Sequence, residues 1–486
     1  MPLKFDNSYA KLPDRFYVRQ SPVPVAKPAL IRVNRELADV LGIDLAWLES
    51  DEGVKVIAGN HVPKGAEPIA TVYAGHQFGS WNPRLGDGRA ILLGEVIGKD
   101  GERYDLQLKG SGITPFSRMG DGRAPLGPVL REYLVSEAMS SLRIPTSRTL
   151  AAVTTGESVY REQKLAGGVL VRVAQSHIRI GTLQYFASIK DFDALKLLVE
   201  HLIARHYPEA DDADNPVLAM LEQVMRRQAS LIARWQTIGF IHGVMNTDNM
   251  LLSGETIDYG PCAFMDHYDS AAVFSSIDHG GRYAYRNQPA IAHWNLARLA
   301  QTLLPLLSAD EKVATELAQA ILDQFPEMFS ECYFAALKAK FGLTTAVDGD
   351  DALIQDFLDL LEGNRCDFTL AFRRLGELTA DTDAIQPLFD FPDIFAPWIE
   401  RWRERCARES ITAEDRHARM MAVNPALIAR NHQVEAAIAQ AYEGDYALFH
   451  RLNDRLATPY QYDPADVDLA IPPKPDQIVR QTFCGT

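Results

Sequence analysis

One stretch of the chain gathers the residue types that metal-dependent phosphate chemistry needs. Ile241-His242-Gly243-Val244-Met245-Asn246-Thr247-Asp248-Asn249 is followed by the apolar pair Leu251-Leu252 and then by Asp258-Tyr259-Gly260. Asn249 and Asp258 offer amide and carboxylate oxygens, donor types that Mg²⁺ takes alongside phosphate oxygens and water. Asp248 adds a carboxylate next to a candidate ligand, available as a general base. Taken singly, each fragment also reads as plain structure: Asp258-Tyr259-Gly260 as a turn after a strand, Asp248-Asn249 as an Asx turn, His242 as a satisfied core histidine.

The order His, Asp-Asn, Asp-aromatic-Gly is that of a protein-kinase catalytic loop and metal site. With His242 and Asn249 set on that pattern, Val244 occupies the place of the catalytic aspartate. A valine cannot accept a proton, so γ-phosphoryl transfer lacks its usual base and Asp248 is left for another geometry. Upstream, Lys109 closes an apolar strand and Glu132 follows 23 residues later near the start of a helix. A kinase places its phosphate lysine and aligning carboxylate in that order. Glu137 competes for the role, and Glu132 is preferred for its depth in the helix. The pentapeptide Gly-Asp-Gly-Arg-Ala stands at 86–90 and again at 120–124. Such glycines let backbone N–H groups reach phosphate oxygens and an adjoining arginine supplies a forked cation, although Asp-Gly is also a common turn dipeptide. Neither copy fits G-x-G-x-x-G. Arg172 and Arg179 alternate with apolar neighbours, which predicts that they face away from the buried residues, as surface charges or as phosphate ligands beside a cleft.

These residues need strands and helices to hold them. Residues 90–97 and 104–109 read as two strands joined by a polar turn, and Gly127-Pro128 opens a helix to about 141 with Leu130, Leu134 and Ala138 on one stripe. Strand character returns at 168–174 and 177–181. Helices are predicted over 34–48, 193–205, 217–237, 294–307, 311–325, 351–361, 368–378, 398–408, 434–441 and 446–456. No fixed-period repeat occurs. The pattern predicts an α+β, protein-kinase-like two-lobed fold: an N-terminal extension over 1–65, a β-rich N-lobe over 66–165, a helical C-lobe carrying the site over 166–340, a further helical region over 341–456 and an extended, proline-rich tail over 457–486.

At 486 residues the chain exceeds what one hydrophobic core usually serves. Its apolar fraction of 47% and charged fraction of 23% are those of a globular protein, and its net charge of -15 opposes non-specific binding to nucleic acid or an anionic membrane. Five scattered cysteines without a C-x-x-C pair indicate neither a disulfide framework nor a zinc site, so a reducing cytosol is expected. No stretch has the length and apolarity of a membrane span or a targeting signal.

The runs Tyr73-Ala-Gly-His-Gln-Phe-Gly79, Leu85-Gly-Asp-Gly-Arg-Ala90, Leu106-Gln-Leu-Lys-Gly-Ser-Gly112, His242 through Asn249 and Asp258-Tyr-Gly-Pro261 resemble the selenoprotein O family over nearly the whole chain. The resemblance implies transfer of AMP from ATP to hydroxyls of proteins, this chain itself included, with pyrophosphate leaving and ATP held in an orientation reversed from that in kinases. It implies that Lys109 and Glu132 are the phosphate lysine and its aligning carboxylate. It places Gly86, Gly88, Arg89, Lys109, Asp121, Gly122, Arg172, Arg179 and Asp258 around the nucleotide, Asn249 and Asp258 on Mg²⁺ or Mn²⁺, and makes Asp248 the proton acceptor. Eukaryotic members carry selenocysteine near the C-terminus where this chain has Cys484, which implies a weaker redox response. The cysteine that partners the terminal one in some bacterial members corresponds here to Ser276, leaving only another cysteine such as Cys262 for a disulfide. Two other activities stay open at this point: γ-phosphoryl transfer by a metal-dependent kinase, and nucleotide binding by an inert scaffold.

Overall fold

The computed structural model describes residues 3–379 and 388–482. Its first part carries β1 (Tyr17–Arg19), β2 (Ala29–Val33), the short helices α1 (Arg35–Val40), α2 (Leu45–Leu48) and α3 (Asp51–Ile57), then β3 (Ile69–Thr71) and the hairpin β4 (Gly75–Gln77) and β5 (Ser80–Asn82). There follow β6 (Ala90–Ile97), β7 (Arg103–Lys109), β8 (Ala124–Pro125), α4 (Leu126–Ser141), β9 (Arg148–Tyr160) and β10 (Lys164–Ala174). Seven strands form an antiparallel sheet in the order β1-β3-β6-β7-β10-β9-β2, with β8 added to β10. The sheet draws strands from both sides of the boundaries expected at 65 and 165: β1 and β2 lie within the supposed extension, and β10 pairs with both β7 and β9.

One sheet face is covered by α1–α3, where Leu37, Leu41, Leu48, Val56 and Ile57 pack on Leu106, Leu108, Val171 and Val173. A single helix expected over 34–48 is broken because Gly42 takes a left-handed φ of 67° and Asp44 starts a new helix by capping Ala46 N. The other face packs against α4, which in turn is backed by the distant helices α15 (Asn431–Tyr442) and α16 (Ala447–Leu456).

The helical part begins with α5 (Ile180–Ser188), α6 (Phe192–His206) and α7 (Pro216–Thr237), then the two-residue strands β11 (Phe240–Ile241) and β12 (Ala263–Phe264) that bracket the site loop. After them come α8 (Gln288–Leu307), α9 (Glu311–Leu322), α10 (Phe325–Lys340), α11 (Asp350–Gly363), α12 (Phe368–Glu377), α13 (Ala396–Cys406) and α14 (Ala413–Met421). The expected strand over 177–181 is a correction: only Arg179 makes a bridge, to Leu251, and a helix starts at Ile180, where the Thr182 hydroxyl accepts from Arg179 N. The structure adds β9, α10 and α14 to the elements expected from sequence. The last is capped by Thr412 and rich in charge, with no broad apolar stripe to announce it.

The tail is not simply extended. It forms α17 (Val467–Ala470), whose Leu469 and Ala470 are buried, and at Thr482 it is buried against residues 261 and 274–276. Cys484 lies outside the described residues. Among those described, no helix is long and apolar enough to cross a membrane.

Candidate active site

Lys109 ends β7, in register with Ala90 of β6 and Leu170 of β10, while Arg172 of β10 stands opposite Gln107. Cross-strand partners share a face, as do residues two apart in a strand, so Lys109, Gln107 and Arg172 point to the same side of the sheet. Here α4 crosses the sheet and presents Glu132. The Lys109 ammonium bonds Glu132 Oε2, and Arg172 Nε donates to Glu132 Oε1 at 2.7 Å. Arg172 Nη2 continues to Asp258 Oδ1 at 2.7 Å, and Arg179 Nη1 reaches Asp258 Oδ2 at 2.9 Å. A chain of alternating charge results: Lys109, Glu132, Arg172, Asp258, Arg179. Only Asp258 keeps appreciable exposure, 27% of its side chain.

Burial is the largest single influence on each member of this cluster; it prevails at Lys109 and is outweighed by the partners at Glu132 and Asp258. Burial pushes the Lys109 amine below its ordinary value, with Glu132 opposing. Burial alone would raise Glu132, yet Arg172 and Lys109 outweigh it and hold the carboxyl low. Asp258 likewise resists burial through Arg172, Arg179 and Lys109 and stays well below the carboxylate range, so it is ionised. Glu137, the competing partner, lies five residues along α4, about 140° around the helix axis at 100° per residue. It faces away from the cluster and binds Arg148 through Nε at 3.0 Å and Nη2 at 2.7 Å.

The loop after β11 is pinned from both ends. His242 stacks on Trp235, and its Nε2 lies 2.8 Å from the Ile257 carbonyl, tying the loop to the residue before Asp258. Asp258 itself adopts a left-handed φ of 65°, a conformation that disfavours a non-glycine residue by roughly 1–2 kcal/mol and is held here by its two arginines. Val244 is 5% exposed and belongs to the main core, so the place of the kinase base is filled by apolar packing.

Asp248 occupies a one-turn helix over Thr247–Asn249. The β4–β5 hairpin lies directly on it: Gln77 Nε2 donates to Asp248 Oδ2 at 3.2 Å, His76 N to Thr247 Oγ1 at 2.8 Å, and Phe78 N to Asn246 Oδ1 at 3.0 Å. Asp248 Oδ1 is buried with no hydrogen-bond partner. Burial pushes the carboxyl up to about 6, against the pull of Arg179. The hairpin approaches so closely because residue 75 is glycine; a methyl group there would sit 2.4 Å from Asp248 Oδ1. Gln77 was not singled out from sequence, since nothing local signals a contact across 171 residues.

Asn249 Nδ2 donates to the Val244 carbonyl at 2.9 Å, which leaves its amide oxygen as a donor for a cation. With ionised Asp258 this gives two protein oxygens. Among the described residues no group of three or more His, Cys, Asp or Glu could hold a metal by itself. The pair fits an ion whose remaining positions are filled by phosphate oxygens and water, the usual Mg²⁺ arrangement.

The two Gly-Asp-Gly-Arg copies part company. In the first, Asp87 accepts from Thr71 N at 3.0 Å and Oγ1 at 2.6 Å, and the charge of Arg89 reaches Lys109. Its Gly86 takes φ 75°, and Gly88 packs against the Phe116 carbonyl. In the second, Gly122 takes φ 67° against the Gly112 backbone, but Asp121 pairs with Arg161 at 2.9 Å and Arg123 donates to the Val23 carbonyl at 3.0 Å. Asp121 is thus not joined to the Lys109 cluster by any of these bonds. The expected surface position of Arg172 and Arg179 is also a correction: they are 2% and 3% exposed, Arg172 because both sheet faces are covered and alternation there separates two interiors, Arg179 because it sits at the start of α5 with its guanidinium on the Asp248 carbonyl and Asp258.

Comparison with known proteins shows the family. The profile of the family described as protein adenylyltransferase SelO matches residues 1–457. The protein nucleotidyltransferase YdiU of Bradyrhizobium diazoefficiens is 59% identical over 485 residues, covering 99% of each chain. That of Rhodopseudomonas palustris (strain BisB5) is 58% identical over 486 residues, again 99% of each, and that of Rhizobium etli 56% over 487 residues, 99% of this chain and 97% of its own. The chain belongs to the SelO family and is an enzyme of the protein nucleotidyltransferase class.

Proposed function

We propose that the chain adopts a kinase-like two-lobed arrangement and transfers AMP from ATP to Ser, Thr or Tyr hydroxyls of proteins in the cytosol. The observation that carries this reading is the pairing of a core-buried Val244 with a buried Asp248 whose Oδ1 has no partner. The carboxylate that would take the hydroxyl proton stands four residues beyond the kinase position, which suits attack on a different phosphate.

In the proposed reaction Asp248 Oδ1 accepts the proton of the acceptor hydroxyl. The hydroxyl oxygen bonds to the α-phosphorus, the bond from that phosphorus to the bridging oxygen breaks, and pyrophosphate leaves. ATP lies reversed relative to kinases so that its α-phosphate faces Asp248. Lys109, oriented by Glu132, neutralises phosphate charge, as do Arg89 and the ends of Arg172 and Arg179. Gly86, Gly88, Gly122 and Asp121 shape the nucleotide pocket. Asn249 and Asp258 would hold Mg²⁺ or Mn²⁺, which when bound supplies charge neutralisation at the phosphate oxygens. The domain division consistent with this reading puts the nucleotide between the sheet with α4 and the helical part from α5 onward.

The test is incubation with Mg²⁺ and ATP labelled at either the α or the γ position. Protein-bound α label with release of labelled pyrophosphate from the γ-labelled nucleotide is expected. Protein-bound γ label would make the chain a kinase, and neither label, with nucleotide still bound, would make it a scaffold.

A further inference from the structure

Beside the β4–β5 hairpin lies a cationic cluster that the proposed chemistry does not use. Arg282 and Arg298 both pack on the indole of Trp294, their guanidinium carbons 4.8 and 5.2 Å from the ring centroid. His76 meets the same ring edge-on at 5.3 Å, and Trp81, 41% exposed, tilts over His76 at 4.9 Å. Burial first, and then both arginines, lower the His76 pKa, so the two guanidiniums and a neutral imidazole share one small region.

In a chain of net charge -15, unopposed arginines are unusual. Among the described residues neither Arg282 nor Arg298 forms an ion pair, and each has a buried Nε without a hydrogen-bond partner. Asp278, an acid on the same segment as Arg282, commits its two oxygens to the backbone N–H groups of Arg282 and Tyr283, at 2.9 and 2.8 Å. Stacking on an indole holds a guanidinium rigidly while leaving its donor edge for an anion. Polar groups arranged in this way are set to receive a carboxylate bidentately.

The cluster's position says which carboxylate. Gln77 touches Asp248, and Gly79, two residues on, lies against Arg282, where a methyl group would be 3.6 Å from the guanidinium carbon. Arg282 therefore stands beside the hairpin that rests on Asp248, and a few residues of extended chain at ~3.3 Å each lead from one to the other. We propose that Arg282, Trp294 and Arg298, flanked by Trp81, form the docking surface for an acidic segment of the acceptor protein, seating a Glu or Asp side chain a few residues from the hydroxyl that is modified. The inference rests on Asp248 being the base that receives that hydroxyl.

The experiment uses the full chain and fluorescein-labelled peptides that share one serine and carry Glu, Gln or Lys three residues from it. Binding is read by anisotropy without nucleotide, and transfer by α label with Mg²⁺ and ATP. The Glu peptide is expected to bind about tenfold tighter than the Gln peptide, with the difference shrinking as salt is raised. Arg282→Gln with Arg298→Gln should erase that preference while ATP affinity stays unchanged, which also shows that the variant is folded. Arg282→Glu with Arg298→Glu should turn the preference to the Lys peptide. Equal binding of the Glu and Gln peptides by the unaltered chain overturns the proposal, as does a preference that survives the Gln double variant. Arginine-dependent binding of a labelled single-stranded RNA in place of the Glu peptide would also overturn it. Failure of the chemistry is separate: a binding preference with no α label on any peptide sinks the transferase reading and leaves the surface standing.

Discussion

At the scale of single residues, the site separates its two carboxylates by environment. Asp258 faces two arginines and is held ionised, whereas Asp248 is buried with one amide partner and pushed up to about 6. The first suits a ligand for cations and the second a proton acceptor. Asp248→Asn keeps size and the Gln77 contact but removes the basic oxygen. It should lower α-label transfer by about 10²–10⁴-fold while nucleotide affinity holds. Turnover equal to that of the unaltered chain would remove Asp248 from the mechanism. Glu132 bears on stability as well as activity, because it is the shared partner of two buried cations. Glu132→Gln should cost on the order of 3 kcal/mol in urea unfolding, since breaking one side of a buried pair leaves charge uncompensated. A loss below about 1 kcal/mol would mean that Asp258 and water compensate Lys109 and Arg172 fully.

At the scale of elements, α4 and the β4–β5 hairpin do most of the positioning. One flank of α4 aims Glu132 into the cluster. Elsewhere on the helix, Arg131 reaches Glu435 of α15, and Gly127 N bonds the Tyr442 hydroxyl at 3.0 Å, so helices 300 residues away in sequence fix its position. Farther off, α10 ends in Lys340, which is 4% exposed, lies over the Phe372 ring at 4.4 Å and is pushed by burial down to about 7. The sign follows from which state binds the proton. Between pH 7 and about 10.5 the unfolded chain keeps a proton that the folded chain has lost, so this group's contribution to stability rises with pH across that window and is least favourable below it. Lys340→Met should remove this dependence and raise Tm more at pH 6.5 than at pH 9.5, a gain of a few kcal/mol at the lower pH. Equal shifts at both pH values would show that the amine stays charged in the fold.

At the scale of the whole molecule, the C-terminal tail comes back to the site at Thr482. Thr482 N donates to the Phe274 carbonyl at 2.8 Å, Ser276 N to the Thr482 carbonyl at 3.2 Å, and Thr482 Oγ1 to the Pro261 carbonyl at 2.7 Å. Pro261 stands three residues after Asp258, so the tail ties residues 274–276 to the backbone beside the candidate metal ligand. Ser276, where the family resemblance puts a partner for the terminal cysteine, is joined to the tail by its backbone N–H. Thr482→Val keeps the shape and leaves the Pro261 carbonyl without that donor. Amide exchange at Ser276 and Thr482 should quicken about fivefold, the equivalent of one lost hydrogen bond. Unchanged exchange would mean that packing alone retains the tail.

The sequence by itself determined the residue kinds and their order along the chain. Lys109 before Glu132, His242 with Asn249, Val244 in place of an aspartate, and Asp258 with glycine behind it are legible because each depends on spacing within one loop or on the order of neighbouring elements along the chain. The same holds for α4, α6 and α7, whose apolar stripes repeat at helical spacing. What only the tertiary structure decided involves contacts across long separations. These include the isolation of Glu137 from the charged cluster, set by which flank of α4 meets the sheet, and the burial of Arg172 in a sheet covered on both faces and of Arg179 between the start of α5 and the site loop. They also include Gln77 lying on Asp248, the absence of Asp121 from the charged chain, and the addition of residues 17–19 and 29–33 to the sheet. Periodicity reports which side chains share a face and is silent on what that face will meet, because the meeting is fixed by packing between elements far apart in the chain.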